Sequence, residues 1–331
     1  MQERLYAVVL AAGLGKRMKS VLPKVLHPLL GRPMLSYTLD SLAPLDLAAT
    51  IIVVGHSGEL VQERMGSGFR YVWQDRQLGT GHALQQARET LSGETGTLLV
   101  LPGDIPLLQA AHLLHLLEVH QQSQCLGSVL TALVEDPSLL GRVCRNADGA
   151  FETIVEEADA SPSQRNIHEV STSIYAFSLP AVFDYLERLS PNNAQGEYYL
   201  NDVLPMMHQA GNVQVVRVDD IPIIGVNDRV QLSQCRRILH DRLLRDWMRA
   251  GVTMEDPATV SLDWEVRLKP DTVIKPFTVL EGACHIGQNC VLGPFLHLIN
   301  AVIPDGTRCR GLSSFSELSC RQGLSNQGEE R

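Results

Sequence analysis

The sequence predicts an α/β protein: a doubly wound, Rossmann-like sheet followed by the start of a parallel β-helix. Three observations carry this. Predicted strands and helices alternate at short intervals from residue 6 to residue 101, as in doubly wound sheets. The first strand, 6–12, runs into a loop rich in glycine and cations, and ligands meet such sheets beyond the C-terminal ends of the strands. Towards the C-terminus, Ile274, Leu280, Ile286, Leu292 and Leu298 recur every six residues, and a hexapeptide period marks a parallel β-helix.

Taken in order, 6–12 is an apolar run that reads as a buried strand. Residues 33–42 predict a helix with proline at its start. Strand 50–54, a short helix 57–65, strand 69–73, helix 81–91 and strand 97–101 follow. The loops 13–24, 74–80 and 102–106 all follow predicted strands and are expected to converge. From 127 to 177 the pieces are shorter and richer in β-formers (127–134, 141–145, 151–155, 171–177), which reads as an insertion or extension closing over the first half. Helices are predicted over 198–209 and 229–250, the second long enough to leave its domain. The hexapeptide register weakens after Asn300, and the tail from Arg308 carries no strong pattern.

Bulk properties narrow the function. A chain of 331 residues suggests about two domains. Hydrophobic residues at 44% and charged residues at 20% fit a soluble globular protein with a real core. A net charge of -9 argues against a nucleic-acid surface, which would be basic, but not against an anionic small molecule held by a locally basic loop. The first apolar run passes straight into Gly-x-Gly-Lys-Arg, too short for a secretory signal and without a small-residue cleavage site. No apolar stretch reaches the roughly 18 residues of a membrane span. The seven cysteines form no C-x-x-C pair and are irregularly spaced, which indicates neither zinc nor a disulfide framework and suits a reducing cytoplasm.

The chemistry concentrates in three loops. Leu10-Ala11-Ala12-Gly13-Leu14-Gly15-Lys16-Arg17-Met18, with Lys24 beyond it, combines two glycines with three cations. Glycines let backbone N–H groups approach an anion, and the cations add charge where phosphates would sit. It is not a P-loop, because Arg17 follows Gly15-Lys16 and Leu10 stands where the first glycine belongs. It is not a dinucleotide fingerprint either, because Met18 takes the third glycine's place. Asp104, after strand 97–101, is suited to Mg²⁺ shared with phosphate oxygens, or to a turn or helix cap. Gln74 and Gln77-Leu78-Gly79-Thr80-Gly81-His82-Ala83 follow strand 69–73; a glutamine amide can pair with a pyrimidine edge, and Thr80 can also cap a helix. His82, on the opening turn of a helix, reads as structural.

The first loop, L-A-A-G-x-G-x-R-M followed by P-K-V-L, resembles the signature of sugar-1-phosphate nucleotidylyltransferases. After it, in the same order as in one family, come Gln77–83, Gly103-Asp104-Ile105-Pro106, Gly141-Arg142-Val143, Ile154-Val155-Glu156, 193–200 and Gly225-Val226-Asn227-Asp228. Over residues 5 to about 300 the chain resembles the GlmU family, bifunctional N-acetylglucosamine-1-phosphate uridylyltransferases and glucosamine-1-phosphate acetyltransferases.

The resemblance implies a GT-A-like nucleotidyltransferase domain over 1–228 with a mixed sheet. A linker helix over 229–250 and a truncated left-handed β-helix over 251–307 follow, then an irregular tail over 308–331. It implies UTP and N-acetylglucosamine 1-phosphate as substrates, in the synthesis of cell-wall and lipopolysaccharide precursors in the cytoplasm, with no nucleic-acid or membrane partner. Leu10, Ala11, Ala12, Gly13 and Lys24 would hold the triphosphate, with Arg17 and Lys24 catalytic. Gln74, Gly79 and Thr80 would read uracil. Gly103, Gly141, Glu156, Ser171 and Asn227 would line the sugar site, and Asp104 and Asn227 would bind Mg²⁺.

The chain departs from that pattern at three places. Lys16 stands where the family has Thr, Ala158 where it has Lys, and Ser171-Thr172-Ser173 where it has Asn-Thr-Gly, whose Asn contacts the sugar. These departures bear on sugar affinity and leave another sugar 1-phosphate, or a non-catalytic nucleotide-sugar-binding protein, as alternatives. The family's acetyl-transfer residues fall beyond residue 331, so the resemblance implies no acetyltransferase activity here and a homotrimer weakened by the short β-helix.

Overall fold

The computed structural model describes residues 3–218 and 225–310, and the backbone of 313–316. Most of the predicted irregular tail, 308–331, lies outside the described residues. The chain divides into two compact units, one of Met1–His27 with Pro33–Gln231, the other of Pro28–Arg32 with Leu232–Arg331.

In the first unit the elements run β1 (Leu5–Ala11), α1 (Met34–Leu42), β2 (Leu47–Val54), α2 (Gly58–Met65), β3 (Arg70–Trp73), α3 (Thr80–Gln85) and β4 (Gly96–Pro102). They continue with α4 (Ala110–Ser123), β5 (Gly127–Leu133), β6 (Arg142–Arg145), β7 (Phe151–Val155) and β8 (Glu169–Leu179). The last are α5 (Ala181–Leu186), α6 (Val203–Ala210) and β9 (Val213–Arg217), with α7 (Arg229–Arg249) running out of the unit.

One nine-stranded sheet in the order β9-β5-β8-β4-β1-β2-β3 forms the frame, with the β6–β7 hairpin attached to β8. Val8 pairs in parallel with Ile51 of β2 and with Val100 of β4. Tyr175 of β8 runs antiparallel to Val100 on one side and Val129 of β5 on the other. The sheet is therefore mixed.

The strands are apolar on both faces because helices cover both. Alternate residues point to opposite faces of a strand. Tyr6, Val8, Ile51, Val53, Leu98 and Val100 pack with Leu84 of α3, Val182 of α5 and Leu204 of α6. Ala7, Val9, Ile52, Val54, Leu99 and Leu101 pack with Leu35 of α1, Val61 of α2 and Leu113 of α4.

The expected insertion over 127–177 is corrected: β5 and β8 lie inside the main sheet, and only β6–β7 stands off it. The reason is visible in the packing, since Val129 and Phe177 join one buried face while Leu130 and Ala176 join the other. Helix α3 ends at Gln85, short of the expected residue 91, and α4, α5 and β9 were not predicted.

The second unit carries three sheets of short parallel strands. One joins Thr253–Met254, Val273–Ile274, Val291–Leu292 and Arg308–Cys309. Another joins Ser261–Leu262, Thr278–Glu281, Leu296–Ile299 and Ser313–Ser316. The third joins Arg267–Leu268, His285–Ile286 and Val302–Ile303. Leu262 pairs with Leu280, and Leu280 with Leu298, so each coil takes three six-residue sides. This is the start of a β-helix, and it begins earlier than the periodic signal suggests, with Thr253–Met254 pairing with Val273–Ile274, and its buried stack already includes Leu262 and Leu268. The weakening after Asn300 is a one-residue shortening: Ile286 pairs with Ile303, and the six-residue step resumes at Cys309, which pairs with Leu292. Among the described residues no helix is long and apolar enough to cross a membrane.

Candidate active site

A cavity of about 600 Å³ opens beyond the C-terminal ends of β1, β3 and β4. The three loops singled out by sequence meet there. Leu10, Ala11, Ala12, Gly13, Arg17 and Lys24 come from the first, Gln74, Gly79 and Thr80 from the second, and Asp104 from the third. Ser171 and Asn227 complete the set of predicted residues in the wall. Gly103, Gly141 and Glu156 are not among the residues lining it.

The first loop is shaped by Gly15, whose φ of +58° lies in the left-handed region. A Cβ at Gly15 would come within 2.8 Å of the Lys24 Cβ, so glycine is what lets Lys24 pass close to the loop. The Lys24 ammonium donates to the Asp104 carboxylate, and to Asn227 Oδ1 at 3.0 Å. Both charged side chains are largely shielded, at 12% and 16% exposure. Backbone ties hold the acceptors in place: Val226 N donates to Asp104 O at 2.9 Å, and Asn227 Nδ2 donates to Gly225 O at 3.1 Å. The second bond turns the Asn227 carbonyl towards the lysine.

Two hard oxygens, one anionic and one neutral, thus converge on a single cation. Among the described residues no group of three or more His, Cys, Asp and Glu could hold a metal. Mg²⁺ keeps several waters and is commonly bound by one or two carboxylates together with substrate phosphates. The Asp104–Asn227 pair fits that ion.

The second loop is held from behind. Gln74 is 3% exposed, and its amide nitrogen donates to Gly79 O at 3.0 Å and lies 2.9 Å from His82 Nδ1. Gly79 adopts φ +112°, and a Cβ there would sit 2.5 Å from Tyr198 O. Tyr198 N donates to Leu78 O and Gly81 N to Tyr198 O, both at 2.8 Å. The Thr80 hydroxyl accepts from Leu200 N at 3.0 Å and does not cap α3, whose N-cap is Gly79. Burial holds the His82 imidazole below its usual pKa.

Gly141 and Glu156 lie behind Ser171. Ser171 N donates to Gly141 O at 2.8 Å, and a Cβ on Gly141 would stand 3.3 Å from Glu156 Oε1. Gly103 is packed against the Leu35 side chain, 3.0 Å from where its Cβ would be.

Sequence reasoning missed Asn201, which joins this group together. Its Oδ1 accepts from the Tyr175 hydroxyl at 2.6 Å and from Ser171 Oγ at 3.5 Å, and its Nδ2 donates to Glu156. Burial raises the Glu156 carboxyl above its usual range, opposed by the Asn201 hydrogen bond. β8 is irregular here, with a register shift between Ser171 and Tyr175 and Ser173 at φ +58°. That break turns Ser171–Ser173 into the cavity wall. It could have been suspected only from the run Ser-Thr-Ser interrupting an apolar strand.

A mixed sheet with a glycine- and cation-rich loop and a shielded carboxylate at its strand ends defines a nucleotidyltransferase domain, and residues 7–170 match the MobA-like NTP transferase domain. The fold is shared with a UDP-glucose pyrophosphorylase solved with UDP-glucose, with TM-score 0.59 and 18% identity over 72% of this chain and 99% of that one. Among curated relatives, the bifunctional protein GlmU of Heliobacterium modesticaldum is 46% identical over 299 residues, covering 90% of this chain and 65% of the relative. That of Exiguobacterium sp. is 45% identical over 304 residues, 91% of this chain and 67% of the relative. The chain belongs to the GlmU family, and it spans about two thirds of the length of these relatives.

Proposed function

We propose that this chain transfers UMP from UTP to N-acetylglucosamine 1-phosphate, giving UDP-N-acetylglucosamine and pyrophosphate for envelope precursors. The observation that carries the reading is the meeting of Lys24, Asp104 and Asn227 in a cavity whose wall also holds Gln74. Cationic charge, oxygen ligands and a base-reading amide are the parts nucleotidyl transfer needs.

In the reaction a phosphate oxygen of the sugar phosphate forms a bond to the α-phosphorus of UTP. The bond from that phosphorus to the β-phosphate's bridging oxygen breaks, and pyrophosphate leaves. No covalent enzyme intermediate is required, so catalysis is positioning and charge neutralisation. The glycine loop offers backbone N–H groups to the triphosphate, and Arg17 and Lys24 supply positive charge. Asp104 and Asn227 would hold Mg²⁺, which when bound neutralises phosphate charge. Gln74, Gly79 and Thr80 form the uracil side. Ser171 and Asn227 form the sugar side in the cavity wall, backed by Gly141 and by Glu156, which Asn201 holds, with Gly103 beneath the Asp104 loop.

Ala158 and Ser171 favour a second reading, in which the same chemistry acts on another sugar 1-phosphate. One experiment addresses both: pyrophosphate release measured over a panel of nucleoside triphosphates and sugar 1-phosphates. UTP with N-acetylglucosamine 1-phosphate is expected to give the highest kcat/KM. A higher value with another sugar favours the second reading, and no release with any pair refutes both.

A further inference from the structure

We propose that His82 is a positioning residue: it locks the Gln74 amide with its carbonyl oxygen free for the nucleobase, and so favours bases that carry N–H at N3 over cytosine. This rests on the reading of Gln74 as the base-contacting residue.

Gln74 lines the cavity. Its amide nitrogen has two hydrogens, and two acceptors stand within reach, Gly79 O at 3.0 Å and His82 Nδ1 at 2.9 Å. A backbone carbonyl can only accept, so Gly79 settles which end of the amide is nitrogen. Nδ1 must then accept as well, and the imidazole proton belongs on Nε2. Gln86 Nε2 donates to the His82 carbonyl at 3.0 Å; its 3.3 Å approach to His82 Nε2 then sets two donors side by side and is a contact, not a hydrogen bond. An imidazolium would in addition turn an N–H at Nδ1 against the Gln74 amide. The backbone of Gln74 is also engaged, its N–H with Val54 O at 2.8 Å and its carbonyl with Gln77 Nε2 at 3.1 Å.

What Gln74 offers a ligand is therefore Oε1, an acceptor. Uracil and thymine present N–H at N3, whereas cytosine presents a lone pair there. A fixed carbonyl oxygen attracts the first and repels the second. Were the amide free to turn, its NH₂ could serve cytosine equally well, so base choice depends on what stands behind the glutamine.

The test is the ratio of kcat/KM for UTP to that for CTP, with the His82 tautomer read by long-range ¹H–¹⁵N NMR. The native protein is expected to prefer UTP and to show the Nε2–H tautomer. His82→Phe keeps the ring but loses the acceptor. It is expected to lower the UTP:CTP ratio about tenfold, the effect of one neutral hydrogen bond, while KM for the sugar phosphate stays put. His82→Asn, whose Oδ1 takes the place of Nδ1, is expected to keep the ratio. An unchanged ratio in folded His82→Phe overturns the proposal, and so does an Nδ1–H tautomer in the native protein, a readout that needs no variant to fold. A native protein that uses UTP and CTP alike overturns the base-reading role of Gln74 itself, a result distinct from failure of the His82 step alone.

Discussion

Removing the charge of Lys24 tests the pair at the heart of the cavity. Lys24→Met keeps most of the apolar stem and deletes the ammonium. The Asp104 carboxylate then loses its charged donor, and Asn227 Oδ1 loses a bond of 3.0 Å. Exposed ion pairs contribute about 0–1 kcal/mol, whereas breaking a fully buried one costs about 3–5. At 12% and 16% exposure this pair lies between those limits, and hydrogen bonds to charged groups contribute about 1.5–3 kcal/mol. Lys24→Met should therefore cost about 2 kcal/mol of folding stability at neutral pH, less if water reaches Asp104. Asp104→Asn should cost a similar amount, and the double variant less than the sum, leaving a coupling energy of about 1.5 kcal/mol. Urea unfolding of the four proteins supplies the cycle. Activity should respond more steeply, with kcat/KM down by about 10²–10³, as for the loss of one preorganised electrostatic contact. A coupling below about 0.5 kcal/mol, together with less than a twofold change in kcat/KM, would refute the reasoning.

Three further outcomes are expected. Gly79→Ala forces a Cβ to 2.5 Å from Tyr198 O at φ +112°, so it should destabilise by more than about 2 kcal/mol, and an unchanged Tm would show that this backbone clamp is absent. Ser171→Asn should lower KM for N-acetylglucosamine 1-phosphate by up to about tenfold while KM for UTP stays constant; equal shifts in both would remove Ser171 from the sugar side. His120 is 3% exposed, with Nδ1 2.9 Å from Ser128 Oγ and 3.3 Å from Cys125 Sγ, and burial lowers its pKa to about 4. The unfolded chain therefore binds that proton first: stability is complete above about pH 6.5 and falls towards pH 4 by about 3 kcal/mol. His120→Gln should flatten the urea-unfolding profile in that window, and an identical slope would contradict the assignment.

The sequence was most legible where local pattern and chemistry coincide. Apolar runs flanked by glycine announced β1, β2 and β4, and the loops after β1, β3 and β4 were readable because strand ends in such sheets carry ligands. The hexapeptide signal was clear because one buried position repeats, as Leu280 and Leu298 stack in register. What stayed hidden depends on partners distant along the chain. Whether β5 and β8 extend the sheet or cover it is decided by pairing of Tyr175 with Val100 and Val129, which no local window contains. Helix α4 starts at Ala110 and is capped by Gln109 together with the His112 side chain, a pair outside the usual start signals. Asn201 gave no sign because its partners Glu156, Ser171 and Tyr175 lie 45, 30 and 26 residues away. Gly141 and Glu156 carried recognisable motifs, yet spacing alone could not place them behind Ser171.

The most direct measurement incubates the purified chain with UTP and N-acetylglucosamine 1-phosphate, with Mg²⁺ and with excess chelator, and identifies the products by mass spectrometry and pyrophosphate assay. The account predicts UDP-N-acetylglucosamine and pyrophosphate in equal amounts, only with Mg²⁺, and a loss of about two orders of magnitude or more in Asp104→Ala. Full turnover in the presence of chelator, or turnover untouched by Asp104→Ala, would contradict it.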